Sequence, residues 1–240
     1  ASIDTTTTAE GGGGSTVAVG ASIAFNSVGI DGQNILYNLA DTFIGTTVAA
    51  ANPSTSSARV ARSTVDVAED ITVDADNNTT ISSEIVNAAM ATGVSIADQS
   101  DAVSVGIIIA MNRTASDTSA AIVGETDVTS QVGSVKVSAD DLSAIDAKVT
   151  ATSVSASVGQ GGSKSVSVAA SFARNEITSD ASATIANANV TAANDISVTA
   201  LRQAAINAQG LSAAVAVGLT AGGGSGGDVS FSGGGAIGFN

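Results

Sequence analysis

The stretch VSVGIIIAMN at residues 103–112 decides the fold, because related versions of it recur along the chain. The other versions are VAVGASIAFN at 17–26, VSVAASFARN at 166–175 and FSGGGAIGFN at 231–240. Each ends in an asparagine, and successive asparagines are 86, 63 and 65 residues apart: Asn26, Asn112, Asn175 and Asn240. Recurrence of this kind indicates stacked units, none of which can bury its own apolar side chains alone.

A second motif follows in each unit, as ITVDA at 71–75, VKVSA at 135–139 and ISVTA at 196–200. These markers predict one continuous array, with units at roughly 17–102, 103–165 and 166–230 and a further unit begun at 231. The first unit is longer because it carries an insertion at roughly 27–54. Glycine-rich material at the start and the break at residue 240 predict a segment of a longer protein.

Larger apolar side chains alternate with small ones, as in SVSVAASF at 165–172. Such alternation is typical of half-buried strands, and the Ser, Ala and Gly face allows a second layer to approach closely. We predict an all-β fold, a parallel β-solenoid (β-helix) built from imperfect repeats of about 63 residues, with one short helical insertion. Each repeat is expected to hold roughly six short strands. One wide, flattened coil per repeat and three coils of about 21 residues both fit, and precedent favours several coils.

Composition limits both the core and the partners. Hydrophobic residues make up 44% of the chain and aromatic residues 2%, so the core must be thin and aliphatic. A net charge of −14 repels phosphate backbones and anionic lipid, which argues against nucleic acid and membrane insertion. The chain contains no His and no Cys, so catalytic triads that need either are excluded. We predict that the protein is not an enzyme and has no catalytic, cofactor-binding or metal-binding residues.

The repeated asparagines are the clearest candidate for a specific structural role. We predict that Asn26, Asn112, Asn175 and Asn240 form a ladder of amide hydrogen bonds at a corner of the coils. Asparagine suits such a corner because it tolerates a left-handed backbone conformation.

Acidic residues offer two minority interpretations. The pairs Glu69–Asp70 and Asp140–Asp141 are carboxylate pairs of the kind that cleaves glycosidic bonds, although both are expected at turns. Calcium is the alternative, with Asp74, Asp76, Asp140 and Asp141 as turn ligands, or with the glycine–aspartate stretch at 222–231. Solvated turn acids are the favoured interpretation of these residues.

The insertion predicts a short amphipathic helix, because apolar residues recur at helical spacing between Asp31 and Gly45. Its apolar stripe, which includes Leu36, Leu39 and Phe43, is a possible lateral contact with a neighbouring filament. The Ala, Ser and Gly faces of the strands are a second candidate for that contact. The alternative is that the stripe covers the helix's own solenoid.

The repeat pattern resembles that of very large exported bacterial proteins, the leukotoxin-type filamentous adhesins and filamentous-haemagglutinin-like solenoids. The pattern is Val-x-Val-x-(Ala/Gly)-x-(Ile/Phe)-Ala-x-Asn, followed by Ile-x-Val-x-Ala and a Gly-rich run. The resemblance implies an extracellular or cell-surface location and a structural or adhesive role as a rigid stalk or fibre. It implies partners such as neighbouring repeats, copies of the chain itself, or a host or surface glycan. The competing function is a solenoid that binds polysaccharide or ice.

Overall fold

A computed structural model describes residues 2–12, 14–30, 52–95, 98–221 and 227–240, and these form β-strands joined by short turns. The strands in chain order are β1 (Ser2–Gly12), β2 (Ser15–Val28), β3 (Ser54–Ala61), β4 (Thr64–Val67), β5 (Ile71–Ser95), β6 (Ser100–Ser130), β7 (Val135–Gly159), β8 (Ser163–Ala192), β9 (Ile196–Thr220) and β10 (Asp228–Phe239). The described residues contain no helix.

Two parallel sheets make up the fold. The first sheet has the order β1-β5-β7-β9, and the second has the order β2-β6-β8-β10, with β3 and β4 also paired to β6. Neighbouring strands are one repeat apart, so Asn112 pairs with Asn175 in the second sheet and Val135 pairs with Ile196 in the first. The prediction of a parallel β-solenoid with repeats of about 63 residues is confirmed.

Each repeat forms one wide, flattened coil, so the expectation of several coils and six short strands is wrong. A coil consists of one long strand in each sheet, such as β6 with 31 residues and β7 with 25.

The acidic pair Asp140–Asp141, expected at a turn, lies inside β7. Adjacent strand residues point to opposite faces, so one aspartate is solvated while the other bonds to polar neighbours, and the strand continues.

The insertion interrupts one row of the second sheet. Strand β2 ends at Val28 opposite Thr114, and β3 begins at Ser54 opposite Ser116 of the continuous strand β6. The predicted helix, with Leu36, Leu39 and Phe43, lies in 31–51, outside the described residues.

One half of the coil holds an aliphatic core, which we call the aliphatic half. Its buried side chains are small or β-branched: Val73, Ala75, Ala120, Ile122, Val128, Val135, Val137 and Ala139. Residues at outward positions of this half are mostly polar, as at Asp117, Lys136 and Asp180. This arrangement is the usual one for a soluble solenoid, with apolar residues inside and charges in water.

The other half of the coil, which we call the serine half, packs residues 100–111 against 148–159. Serine hydroxyls bridge its two sheets, with oxygens 2.8 Å apart between Ser104 and Ser153 and also between Ser157 and Ser165. The Ser104 hydroxyl also donates to the carbonyl of Ala89 at 2.8 Å. Small side chains and paired hydroxyls therefore let the sheets approach closely, and within this half the buried hydroxyls of Ser100 and Ser155 are left without a hydrogen-bond partner.

The close approach of the sheets predicts a position-specific effect of added methyl groups. A Cβ atom on Gly106 would lie 2.7 Å from the backbone oxygen of Thr152, whereas one on Gly235 would meet nothing within 4 Å. We expect Gly106→Ala to lower the free energy of unfolding by about 1–3 kcal/mol because of overpacking. Gly235→Ala should cause no loss. Urea unfolding of both variants checks this, and equal stabilities would contradict the close packing.

Candidate functional site

The four repeated asparagines lie one above another and form a ladder. The Nδ2 of Asn26 donates to Oδ1 of Asn112 at 2.7 Å, and Asn112 donates in the same way to Asn175 at 2.8 Å. Asn175 donates to Asn240 at 2.9 Å. Asn26, Asn112 and Asn175 lie within β2, β6 and β8, and Asn240 directly follows β10. None of them is at a left-handed corner, since the described non-glycine residues with positive φ are Arg62, Glu125 and Asn187.

The ladder lies on the inner face of the second sheet, where Asn112 and Asn175 are buried. Each amide offers one donor group to the next coil and one acceptor to the previous coil, so the bonds form only when the coils stack in register. A shift by one residue would move every amide to the outer face and break the ladder. The arrangement fixes register and leaves no free amide in the buried pair for a ligand.

Three of the predicted calcium ligands converge on the outer face of the first sheet. The carboxylates of Asp74, Asp76 and Asp140 offer oxygens within 4.8 Å of one another, and the Ser138 hydroxyl donates to Asp74. Calcium requires about six to eight oxygen ligands. Two exposed carboxylates and the partly buried Asp140 supply only part of such a set.

The fourth predicted ligand, Asp141, lies on the opposite side of the sheet. Its side chain is buried, and its carboxylate accepts hydrogen bonds from Asn77 at 2.8 Å, Thr118 at 3.2 Å and Ser143 at 2.7 Å. Asp141 therefore belongs neither to a calcium cluster with Asp140 nor to a catalytic carboxylate pair. The two carboxylates face different sides of one strand because adjacent side chains alternate.

Burial alone would raise the pKa of Asp141. Hydrogen bonds from Ser116, Ser143, Asn77 and Thr118 outweigh that effect and hold the pKa below its ordinary value of 3.8. The ionised carboxylate is thus a structural acceptor inside the fold.

The acidic pair Glu69–Asp70 and the aspartate of the glycine-rich stretch at 222–231 also have hydrogen-bond partners within the fold. Asp70 accepts a hydrogen bond from the backbone N–H of Ser134 at 2.7 Å, next to Glu69, whose carbonyl accepts from Ser130 at 2.7 Å. The glycine–aspartate stretch at 222–231 lies partly outside the described residues, since 222–226 are not described.

Asp228 in the described part of that stretch joins neighbouring strands. Its carboxylate accepts from the Ser163 hydroxyl at 2.7 Å and from the backbone N–H of Thr220 at 3.0 Å. Hydrogen bonds from Thr220 and Ser163 hold the pKa of Asp228 below its ordinary range. The carboxylate thus links β9 and β10 to β8, which is a structural role.

Sequence reasoning missed the apolar outer surface of the serine half. Val17 and Phe231 are 60% and 61% exposed on the second sheet, and Leu211 is 58% exposed on the first. The Ser, Ala and Gly faces are largely inside, where a second layer approaches closely as predicted, so they do not offer the lateral contact that was the other possibility. The repeated asparagine could have revealed from the sequence which face is outside. Residues at even spacing from a buried Asn112 must also point inward, so those at odd spacing point outward.

An open surface pocket between β2 and β5 is lined by uncharged residues: Phe25, Asn26, Ser27, Val28, Thr80, Ile81 and Ser82. No helix among the described residues is long and apolar enough to span a membrane.

No protein-family model matches the chain, and no curated protein and no solved structure shows a significant match to it.

The ladder predicts a strong effect of removing a central amide. Asn112→Ala would delete two hydrogen bonds and leave polar atoms of Asn26 and Asn175 without their partner, at a cost of about 3 kcal/mol. The matched control is Asn207→Ala, because Asn207 is exposed and bonds to Asp146 at 3.3 Å. That control should change stability by less than about 0.5 kcal/mol. Thermal unfolding distinguishes them, and similar losses would argue against the ladder.

The lowered pKa of Asp141 predicts acid sensitivity with a defined sign. Because the folded pKa is below the ordinary value of 3.8, the contribution is complete above about pH 3.8 and is lost as the pH falls through the folded pKa. In Asp141→Asn this part of the acid-induced destabilisation should disappear, while the part due to Asp228 remains. Unfolding free energies measured between neutral pH and pH 2 test this. An unchanged pH profile in the variant would refute it.

Proposed function

We propose that the chain is a structural repeat segment of an extracellular or cell-surface filament of the filamentous-adhesin type. The observation that carries this proposal is the register between coils. Val103 lies between Val17 and Val166, and Asn112 lies between Asn26 and Asn175, so equivalent residues form continuous rows along one axis. An array of this kind extends by repetition, because each coil offers the next the same strand edge.

Mechanical support for the coils comes from backbone pairing over their whole width. Strand β7 pairs with β5 and β9 along all 25 residues, and β6 pairs with β8 along nearly all of its length. The backbone hydrogen bonds point along the filament axis, so stretching the filament would strain many of them at once. Such a segment suits a load-bearing role.

The shape favours a broad fibre over a slender stalk. The unbroken 25-residue strand β7 spans about 80 Å at about 3.3 Å per residue, whereas one coil advances the axis by only about 4.8 Å. A solenoid with about 20 residues per coil would gain about three times more length from the same chain. In the proposed role, the width of the solenoid therefore matters more than its length along the axis.

Adhesion to a host or surface glycan remains a second part of the proposal, supported by the resemblance of the repeats to filamentous adhesins. Ice binding has no comparable support, because the row Thr5 to Thr8 alternates between the two faces. Thr5 accepts a hydrogen bond from Ser22 at 3.0 Å inside the fold, whereas Thr8 lies on the outside. A regular threonine surface is therefore missing from this strand. Catalysis is not proposed.

Cryo-electron microscopy of the assembled protein tests the filament. We expect ribbons about 80 Å wide with an axial repeat of about 4.8 Å per coil. Compact particles without this repeat, combined with a specific hit on a glycan array, would replace the structural role with a ligand-binding one.

A further inference from the structure

One surface of the serine half is apolar across the whole second sheet, and we call it the outer stripe. It consists of the outward-facing residues at four equivalent positions of β2, β6, β8 and β10. They are Val17, Val19, Ala21 and Ile23; Val103, Val105, Ile107 and Ile109; Val166, Val168, Ala170 and Phe172; and Phe231, Gly233, Gly235 and Ile237. No member of the stripe is charged or polar.

Charged residues border the outer stripe along its strands. Asp101 pairs with Lys164 in the sheet register just before the stripe. Beyond its other edge, the guanidinium of the partly exposed Arg174 lies 3.3 Å from the carboxylate of the partly exposed Glu176, and the guanidinium of the buried Arg113 lies 3.2 Å from the same carboxylate. An apolar centre with a charged rim is the usual anatomy of a protein–protein interface.

The fold itself keeps these apolar side chains outside. Asn112 and Ser104 point inward from the same strand, and the Ser104 hydroxyl is bonded across the sheets to Ser153 at 2.8 Å. Turning the strand over would place the larger valines and isoleucines where Gly106 leaves no room for a Cβ atom. Exposure of the stripe is therefore a property of the folded coil.

We propose that the outer stripe binds the outer stripe of a second copy of this chain, so that solenoids pair laterally through their second sheets. Both surfaces then repeat at the same spacing along the axis, and no charge is buried between them. Lipid fits less well, because Asp101, Lys164 and Glu176 border the stripe and would lose hydration against hydrocarbon. The first sheet fits less well too, since Asp4 and Glu10 occupy outward positions of β1.

The outer stripe of one 240-residue chain is smaller than a standard interface. The proposed pairing therefore rests on the proposed filament, in which further coils enlarge the stripe. Residues 103–109 span about 23 Å and four strands about 19 Å, which gives a flat area of about 440 Å². A standard interface needs about 800 Å² on each partner. Each further coil adds about 110 Å², so about seven coils reach that area. Pairing should be weak for the 240-residue chain and strong for a longer array.

Cross-linking tests the pairing directly, because the chain contains no cysteine of its own. Ile107→Cys places one thiol in the stripe, and Val154→Cys places a matched thiol on the outer face of the first sheet. In an isologous interface the stripe faces itself, so bismaleimidohexane should join two copies of Ile107→Cys and leave Val154→Cys monomeric. Equal yields, or cross-links only in a mixture of the two variants, would overturn the pairing.

A charge placed in the stripe gives the second test. Adding Val19→Lys to Ile107→Cys should reduce the cross-linked dimer about tenfold or more, because the ammonium would be buried in the interface. The control Val215→Lys adds the same charge to the first sheet and should leave the yield unchanged. Both sites are about half exposed, so the fold should persist, as circular dichroism will show.

Two other occupants of the stripe give different results. Coverage by the chain's own segment 31–51 would leave Ile107→Cys monomeric and poorly labelled, and lipid binding would make the chain float with neutral liposomes. Either result overturns the pairing. Neither affects the filament, whose axial repeat of about 4.8 Å is measured separately by cryo-electron microscopy.

Discussion

Every other feature of the molecule depends on the register in which successive coils stack. Asn112 bonds to Asn26 on one side and to Asn175 on the other, at 2.7 and 2.8 Å. These amides are satisfied only when identical positions lie directly above one another. Because side chains alternate along a strand, fixing one asparagine inside fixes the orientation of the whole strand. The core, the outer surfaces and the positions of the acidic groups all follow from that choice.

Because of this register, the two halves of one coil have different kinds of interior. In the aliphatic half, Ile122 and Val137 form an ordinary apolar core. In the serine half, Ser104 and Ser153 hold two sheets together by hydrogen bonds, and many apolar side chains of the same strands, such as Ile107, face outward, whereas Ile108 and Val149 are buried. A hydroxyl bonded across the interior costs little, whereas exposed valines keep their full hydrophobic contribution available for association. Stability within the coil and the proposed pairing of two solenoids thus draw on different surfaces.

Alternation also separates the acidic groups that a linear sequence places together. Asp140 joins Asp74 and Asp76 on the outside, and Asp141 becomes a buried acceptor. Neighbouring carboxylates therefore have unrelated roles, one in water and the other in the hydrogen-bond network of the interior. A candidate site in this protein has to be assembled from residues one repeat apart, such as Asp76 and Asp140, which pair in the sheet.

The sequence by itself determined the repeat, its period, the parallel stacking of equivalent residues and the thin aliphatic character of the core. Recurrence of Asn26, Asn112 and Asn175 carried that information, since a repeated local pattern implies repeated local structure. Only the tertiary structure decided that one repeat makes one coil, and that the larger residues around Ile107 face outward. Alternation shows that a strand has two faces but not which of them meets the second sheet. That choice depends on the distance between the sheets, which serine bonds and glycines far apart in sequence set together.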